Sequence, residues 1–287
     1  MNKTKDLKIN KYTIVVNTCD AYHEIWPLFF AALNEYWLND GVKVILNTET
    51  IVVNDPVNNV FSHNYFGKNG QDKWGERLIN TLTSIETEYV LVVYDDFILE
   101  DFFDENKLVR LIDVMEKRKE VAVFYLTNIG LPAKPDSNCS DYSEILDNVD
   151  YKLNSAPALW RCEDLIKYTG RSDNPWAWEV FGSFRTFGDG KVFYAPTDSK
   201  KDLYKYNYSM GGAIYRGKWV PEVVVPKIQK YGLNINLLDR GLVDNLIPPK
   251  RSLAWKLKFL YLGYQMISFK VFIFLYRVIK GKLNAGK

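Results

Sequence analysis

The stretch Trp74–Glu100 reads WGERLINTLTSIETEYVLVVYDDFILE and joins two patterns. Apolar side chains recur at helical spacing in its first half, which predicts a helix over Trp74–Thr87. The run EYVLVV at 88–93 predicts a buried strand, and the acidic pair Asp95-Asp96 follows it directly. A helix that leads into a buried strand is the repeating unit of α/β proteins.

The same alternation of strand and helix extends to both sides of this stretch. Further strands are predicted at Tyr12–Asn17, Val42–Leu46 and Val121–Thr127, and further helices at Glu24–Leu38 and Lys107–Lys119. Residues 47–73 are polar and contain turn signals, so they are predicted to form a loop. The pattern predicts an α/β fold with a mostly parallel sheet and helices on both faces.

Polar side chains follow three of these strands. They are Thr18-Cys19-Asp20, Asn47-Thr48-Glu49 and Asp95-Asp96. Ligands of open α/β sheets bind at the carboxyl ends of the strands, so we expect these clusters to form one site. Two adjacent carboxylates suit a Mg²⁺ or Mn²⁺ ion that bridges a diphosphate, although acids after a strand also cap turns.

The composition excludes several classes of protein. The chain has 287 residues, of which 47% are hydrophobic and 25% charged, as in ordinary globular proteins. Two histidines and three cysteines without a CxxC spacing argue against a zinc site of the usual kind and against a disulfide framework. Residues 1–244 carry 28 basic and 35 acidic side chains, which argues against binding of nucleic acid.

The C-terminal region differs from the rest of the chain in charge. After Asp244 there are nine basic residues and no acidic one, among many aromatic and aliphatic side chains. With Pro248-Pro249 as the boundary, we predict a main domain over 1–247 and a basic, aromatic-rich helical tail over 248–287 that binds an anionic membrane surface. A poor membrane span over 259–276, or a pair of helices packed on the protein itself, are the alternatives. No signal-peptide pattern is seen at the start, so we expect a cytoplasmic protein, peripheral on the inner face of the cell membrane.

The stretch Trp74–Glu100 resembles the approach to the DxD site of GT-A-fold glycosyltransferases, especially family-2-like bacterial enzymes of polysaccharide and capsule biosynthesis. In those enzymes a helix with Arg and Asn leads to a Glu-Tyr-hydrophobic strand that ends in an acidic triplet. Here the triplet is Tyr94-Asp95-Asp96, with tyrosine in place of the first acid. The resemblance implies a GT-A (Rossmann-like) fold and a Mn²⁺ or Mg²⁺ ion held by Asp96 with Asp95.

A second segment, Asn154–Arg185, reads NSAPALWRCEDLIKYTGRSDNPWAWEVFGSFR. It resembles the acceptor-side segment of bacterial polysaccharide glycosyltransferases. The resemblance implies that Glu179 is the catalytic base of an inverting enzyme and that three tryptophans bind the acceptor: Trp160, Trp176 and Trp178. The alternative is a surface glutamate on a helix whose tryptophans belong to the core.

By position, the resemblance also implies contacts with the nucleotide-diphosphate sugar, from Thr18, Asp20 and Glu49 to the nucleoside and from Arg77, Arg216 and Lys218 to the diphosphate. Each group has a plainer alternative. The two acids suit solvated loops, Arg77 suits an ion pair on a helix surface, and the stretch SMGGAIYRGKW at 209–219 suits a glycine turn between strands.

The sequence therefore predicts a glycosyltransferase that moves a sugar from a nucleotide-diphosphate sugar to a hydroxyl group of a glycan or lipid-linked glycan acceptor. Two alternatives remain open. A nucleotidyltransferase that makes nucleotide sugars would share the fold, but such enzymes usually carry a glycine-rich basic loop after the first strand, and none follows Asn17. A non-catalytic, membrane-associated carbohydrate-binding or scaffold protein is the other alternative, motivated by Tyr94.

Overall fold

The structure is a computed structural model that describes residues 11–37, 42–55, 58–63, 74–137, 139–244 and 251–285.

A ten-stranded sheet forms the centre of the described structure, in the order β3-β4-β2-β1-β5-β9-β6-β10-β8-β7. The strands are β1 (Tyr12–Asn17), β2 (Val44–Asn47), β3 (Asn54–Asp55), β4 (Val60–Ser62), β5 (Tyr89–Tyr94), β6 (Val121–Tyr125), β7 (Ala133–Pro135), β8 (Tyr142–Ile145), β9 (Ala158–Arg161) and β10 (Val192–Pro196). Strands β3, β8 and β9 run against the direction of the others. The predicted mostly parallel α/β sheet is therefore confirmed.

Eight α-helices occur in the described residues. They are α1 (Trp26–Tyr36), α2 (Trp74–Ser84), α3 (Glu105–Lys117), α4 (Cys162–Tyr168), α5 (Pro175–Val180), α6 (Pro221–Tyr231), α7 (Leu253–Ile267) and α8 (Val271–Ala285). A separate small hairpin is formed by β11 (Ile214–Tyr215) and β12 (Lys218–Trp219).

The sheet is buried on both faces because its strands alternate between two apolar clusters. In β5, Leu91 packs on the side covered by α1, α3 and α6, and Val92 packs on the side covered by α2 and α4. Strands that are buried on both faces read as continuous apolar runs, as YTIVVN and YVLVVY do. The predicted helices on both faces are thus present.

Residues 47–73 depart from the prediction of a loop. The short strand β4 pairs in parallel with β2, and β3 pairs antiparallel with β4. Strands of two or three residues carry too little periodicity to be detected, and they exist here because they extend the edge of an existing sheet. Residues 56–57 and 64–73 lie outside the described residues.

The C-terminal helices α7 and α8 are joined by a 3-10 turn at Ser268–Lys270 and pack on α5 and on the 3-10 turn Gly182–Arg185. A third apolar cluster fills this contact, with Phe181 and Phe184 on the body and Phe259, Ile267 and Phe274 on the tail. The predicted domain boundary at residue 248 lies outside the described residues. By length and composition alone, Leu253–Lys280 could also cross a membrane.

Candidate active site

The carboxyl ends of three neighbouring strands lie at one level of the sheet. The register pairs Asn17 of β1 with Asn47 of β2 on one side and with Tyr94 of β5 on the other. The Asn47 amide donates to Asn17 Oδ1 at 2.9 Å, and the Thr81 hydroxyl of α2 donates to Asn47 Oδ1 at 3.2 Å. The three polar clusters expected from the sequence are therefore adjacent in space.

Asp95 lies beneath this edge and is only 2% exposed. Its Oδ2 accepts a hydrogen bond from the Thr18 hydroxyl and another from Trp26 Nε1 at 3.1 Å. Burial raises the pKa of Asp95 to about 7, although these two hydrogen bonds oppose the shift. Thr18, proposed from the sequence as a nucleoside contact, thus holds the carboxylate in place.

Asp96 is more open than Asp95, and its carboxylate accepts no hydrogen bond from the side chain of any other described residue. Burial and the charge of Asp95 raise its pKa well above the ordinary value. The segment that carries Gly212 covers it closely, because Ala213 N donates to the Asp96 carbonyl at 2.8 Å. Gly212 has a φ of +93°, and a Cβ there would lie 2.9 Å from that carbonyl and 3.1 Å from Asp96 Oδ2.

These two carboxylates fit a divalent cation only in part. Within the described residues there is no group of three or more His, Cys, Asp or Glu side chains that could hold an ion. Asp96 is free to bind, whereas one oxygen of Asp95 is already taken by two donors. The donor set therefore suits Mg²⁺ or Mn²⁺ that takes its remaining ligands from phosphate and water, rather than an ion in a cage of protein ligands.

Glu179 lies near the end of α5, a short helix capped by Asn174, whose side chain accepts from Ala177 N at 2.8 Å. Its Oε1 accepts a hydrogen bond from Ser155 N at 2.7 Å. Burial raises the pKa of Glu179, and the hydrogen bonds from Ser155 oppose that shift. A carboxylate with a raised pKa that is held in one orientation has the properties of a general base.

The charges of Asp96 and Glu179 both raise the pKa of two tyrosines, Tyr94 and Tyr206. Burial raises the pKa of the Tyr94 hydroxyl, and the charges of Glu179 and Asp96 raise it further. Burial likewise raises the pKa of Tyr206, with further contributions from Tyr208 and from both carboxylates. Tyr94 and Ser155 line one small cavity, and Ser155 N donates to Glu179, so Glu179 lies near the end of β5 that leads into Asp96.

The three tryptophans assigned to the acceptor lie elsewhere. Trp160 and Trp178 are 2% and 3% exposed and pack against each other in the core, with ring centroids 6.3 Å apart. Trp176 is 41% exposed, and its ring stacks with those of the tail residues Trp255, at 4.8 Å, and Phe259, at 4.6 Å, which also stack on each other. Stacking of an acceptor sugar on Trp160 and Trp178 is therefore wrong, because both rings are buried, whereas for Trp176 it stays a prediction.

The carboxylates of Asp20 and Glu49 each accept a hydrogen bond from the backbone of the loop that carries the other. Asp20 accepts from Glu49 N at 3.0 Å and from Thr50 N at 2.9 Å, and Glu49 Oε2 accepts from Asp20 N at 3.1 Å. Burial raises the pKa of Asp20, but the hydrogen bonds from Thr50, Glu49 and Ile51 outweigh it and hold the pKa below its usual value. Asp20 and Glu49 are thus hydrogen-bonded to the backbone and are not freely solvated loop acids.

Arg77 on α2 is buried and connects the ends of two strands. Its guanidinium donates to the carbonyl oxygens of Thr18 at 3.3 Å and Asn47 at 3.2 Å. Glu49 Oε1 lies 3.9 Å from the same group. Arg77 is thus placed to hold the loops of the site together rather than on a helix surface.

Arg216 and Lys218 lie on the hairpin β11–β12, and both side chains are exposed. Arg216 is in the turn, with a φ of +55°, so the stretch forms the glycine turn between strands that was the plainer alternative. The described contacts do not join either cation to Asp95 or Asp96.

Arg240 is a further cation near the acidic pair, and it was not predicted from the sequence. Its guanidinium lies 4.6 Å from the ring centroid of Tyr22, and its Nε donates to Glu24 at 2.7 Å. Its positive charge lowers the pKa of Asp95 against the effect of burial, so it is electrostatically coupled to the acidic pair. No local motif marks Arg240, because it reaches the site through the fold.

The tyrosines around Glu179 were likewise not predicted from the sequence as part of the site. Tyr151 and Tyr208 are each 45% exposed, and the Glu179 charge contributes to the raised pKa of both, after burial. The Tyr206 ring stacks on Phe97 at 4.4 Å and contacts the Tyr208 ring at 6.0 Å. The repeat YKYNY at 204–208 was a signal for an aromatic surface on an extended segment.

The fold and this site define an α/β protein with an acidic pair, Asp95 and Asp96, directly after the carboxyl end of β5. No protein-family model and no curated protein matches the chain. Similar solved structures include S. aureus TarS 1–349, at 14% identity and a TM-score of 0.40, with 65% of this chain and 60% of that chain covered. The same protein has been solved in complex with UDP-GlcNAc, at 12% identity and a TM-score of 0.39, with 91% and 82% covered.

Two further similar structures are those of other proteins. The bifunctional IspDF of Campylobacter jejuni is 12% identical at a TM-score of 0.37, with 68% of this chain and 52% of that chain covered. A cytidylyltransferase of Leptospira borgpetersenii is 11% identical at a TM-score of 0.39, with 77% and 95% covered. The match thus covers less than two thirds of the TarS chain in the first comparison, at 60%, and of IspDF, at 52%.

Proposed function

We propose that this protein is an inverting glycosyltransferase that moves a sugar from a nucleotide-diphosphate sugar to a hydroxyl group of an acceptor. The observation that carries the proposal is that Ser155 contacts Glu179 and lies beside Tyr94, which directly precedes the acidic pair. Its backbone N–H donates to Glu179 Oε1 at 2.7 Å, and it lines one small cavity with Tyr94. Among the described residues no side chain donates a hydrogen bond to Asp96, which suits a cation, whereas Glu179 is held in one orientation and has the raised pKa of a base. Transfer from a diphosphate needs both functions.

Glu179 takes the proton of the acceptor hydroxyl as that oxygen attacks the anomeric carbon. The new carbon–oxygen bond forms on the face opposite the diphosphate, and the bond to the diphosphate oxygen breaks, so the configuration inverts. The hydrogen bond from Ser155 N to Oε1 holds the carboxylate that takes this proton in one orientation. The exposed rings of Tyr151 and Tyr208 offer faces on which an acceptor sugar can stack.

Asp96 and Asp95 would hold a divalent cation, which would supply charge stabilisation to the leaving diphosphate. Arg240 adds a positive charge that acts on Asp95 and lowers its pKa against the effect of burial. The paired loops at Asp20 and Glu49, connected by Arg77, form the wall at which a nucleoside binds. A nucleotidyltransferase is less well supported, since no glycine-rich basic loop follows β1.

The test separates donor binding from chemistry. Binding of UDP, GDP and dTDP is measured by calorimetry with and without Mn²⁺, and donor hydrolysis is measured with the matching sugar nucleotides. We expect Glu179→Gln to keep nucleotide binding and to lose about 10²-fold or more of the hydrolysis rate. Asp96→Asn should lose the Mn²⁺-dependent part of nucleotide binding.

Glu163→Gln, an exposed glutamate on α4, is the matched control and should behave as the wild type. Nucleotide binding that is absent in the wild type with every base would contradict the proposal. Binding of sugars without hydrolysis of any donor would indicate the non-catalytic carbohydrate-binding protein instead.

A further inference from the structure

The outer side of the C-terminal helices is an exposed apolar surface. Phe269, in the turn between α7 and α8, is 72% exposed, and most of the other exposed large apolar side chains of the described residues lie on these two helices. We define the tail face as Leu253, Leu257, Tyr261, Tyr264, Phe269, Phe272, Ile273, Tyr276 and Ile279. A contiguous apolar surface of this kind marks a contact with a partner or a membrane.

The inner side of the same helices is already occupied. Gly263 lies so close to the body that a Cβ there would be 2.6 Å from two ring atoms of Phe181. Lys270 Nζ donates to the Phe184 carbonyl at 3.0 Å, and Arg277 donates to Asp150 at 2.6 Å. The helices are therefore attached to the body along one side and open along the other.

The two helices are also too short and too bent to cross a bilayer as they stand. Each has 15 residues, and the chain breaks between them at Ser268, which has a φ of +49°. A helix of that length extends about 22 Å, which is less than the ~30 Å of a hydrocarbon core. Spanning would require the tail to leave the body and to straighten at Ser268.

The charges around the tail face select the partner. Exposed basic side chains lie beside it, at Arg251, Lys256, Lys258 and Lys280, and no acidic residue follows Asp244. Residues 1–244 have seven more acidic than basic side chains. An anionic surface therefore attracts the tail and repels the body, which fixes the orientation of the molecule.

We propose that the tail face binds an anionic lipid bilayer, with α7 and α8 lying in the plane of the interface while they stay docked on the body. Aromatic side chains beside lysines are the anchors that suit this depth. Together with the proposed glycosyl transfer, on which this last step rests, it names the acceptor class as a glycan linked to a membrane lipid.

The helix that carries the proposed base connects the two surfaces. Trp176, near the start of α5, stacks with Trp255 and Phe259 of the tail, and Glu179 is one turn further along the same helix. Only the tail helix therefore separates a bilayer on the tail face from the element that holds Glu179. An acceptor with a lipid anchor is presented to that side of the molecule.

The experiment is co-sedimentation of the full chain with vesicles of phosphatidylcholine, with and without phosphatidylglycerol. We expect binding only to the anionic vesicles. The triple variant Tyr261→Ser, Phe269→Ser, Phe272→Ser, and separately the variant Lys256→Gln, Lys258→Gln, Lys280→Gln, should each weaken this partition at least about tenfold. A variant with Val52→Ser, Phe102→Ser and Leu238→Ser removes exposed apolar side chains from the body and should bind as the wild type does.

Circular dichroism confirms that each variant is folded, and the measurement needs no donor or acceptor, so it stands apart from the test of glycosyl transfer. Equal partition of the wild type and the tail variants would overturn the proposal. So would protein that stays in the vesicles after an alkaline carbonate wash, which indicates a spanning tail. A third outcome would assign the tail face to a second copy of this chain. In that case the wild type does not bind vesicles and forms an oligomer in solution, and only the apolar tail variant is monomeric.

Discussion

At the scale of single residues, Asp95 makes the stability of the protein depend on pH. The pKa of Asp95 is about 7 in the folded state, whereas an unfolded aspartate has a pKa of about 3.9. Between these values only the folded state binds the proton, so the free energy of unfolding falls as the pH rises from about 4 to about 7. Above about pH 7 both states are ionised, and this contribution stays at its lowest level.

Asp95→Asn should therefore raise the midpoint of thermal unfolding by a few degrees at about pH 8 and flatten its dependence on pH. Some dependence will remain, because burial also raises the pKa of Asp96 and of Glu179. Differential scanning fluorimetry between about pH 5 and pH 8 measures both effects. The exposed Glu163→Gln serves as the control, and an Asp95→Asn midpoint below that of the wild type at every pH would count against this account.

The sequence could locate the two acids but not the hydrogen bonds that each of them makes. An acidic pair after a buried strand predicts a site at Asp95 and Asp96, and the structure has them at that edge. It could not show that Asp95 is held by Thr18 and Trp26 while Asp96 stays open, because these donors come from β1 and α1. The same limit explains Arg240, whose place depends on the packing of a distant segment.

At the scale of elements, the accuracy of prediction followed burial. Strand β1 has the predicted bounds, Tyr12–Asn17, because a continuous apolar run in a sheet covered on both faces leaves little ambiguity. Helix α1 begins at Trp26, two residues after the predicted start, because a 3-10 turn occupies Asp20–Ile25. Trp160 and Trp178 of the second motif were expected to bind the acceptor, but they lie in the core. Periodicity does not distinguish a core ring from one that lines a pocket.

The loop that covers Asp96 gives a test with an internal control. Gly211 and Gly212 both have positive φ, 75° and 93°, so alanine is strained at either position. Only at Gly212 would the new Cβ meet Asp96, whereas nothing lies within 4 Å at Gly211. Gly212→Ala should therefore cost about 1–3 kcal/mol more stability than Gly211→Ala.

Urea unfolding measures the difference in stability, and Mn²⁺-dependent nucleotide binding reports on Asp96. We expect that binding to weaken in Gly212→Ala and to persist in Gly211→Ala. Equal losses of stability in the two variants would mean that the loop does not lie against Asp96.

At the scale of the whole molecule, the tail and the body act as one packed unit. The sequence offered three arrangements for the tail, and the structure combines two of their features, since α7 and α8 dock on the body and also present an open apolar face. Composition could not decide between them, because the inner and outer sides of these helices are both apolar. What distinguishes them is the shape of the body surface, where Phe181 and Phe184 meet the helices.

Gly263 tests this docking because two effects on its replacement oppose each other. Alanine is a better helix former than glycine by about 1 kcal/mol, so a free tail helix would gain from Gly263→Ala. In the docked tail the new Cβ would lie 2.6 Å from the Phe181 ring, and overpacking of this kind costs about 1–3 kcal/mol. We expect a net loss of stability and faster proteolysis within α7, measured by thermal unfolding and by limited digestion. Adding Phe181→Leu should recover part of the loss by making room, and a Gly263→Ala protein more stable than the wild type would show that the tail is not held against Phe181.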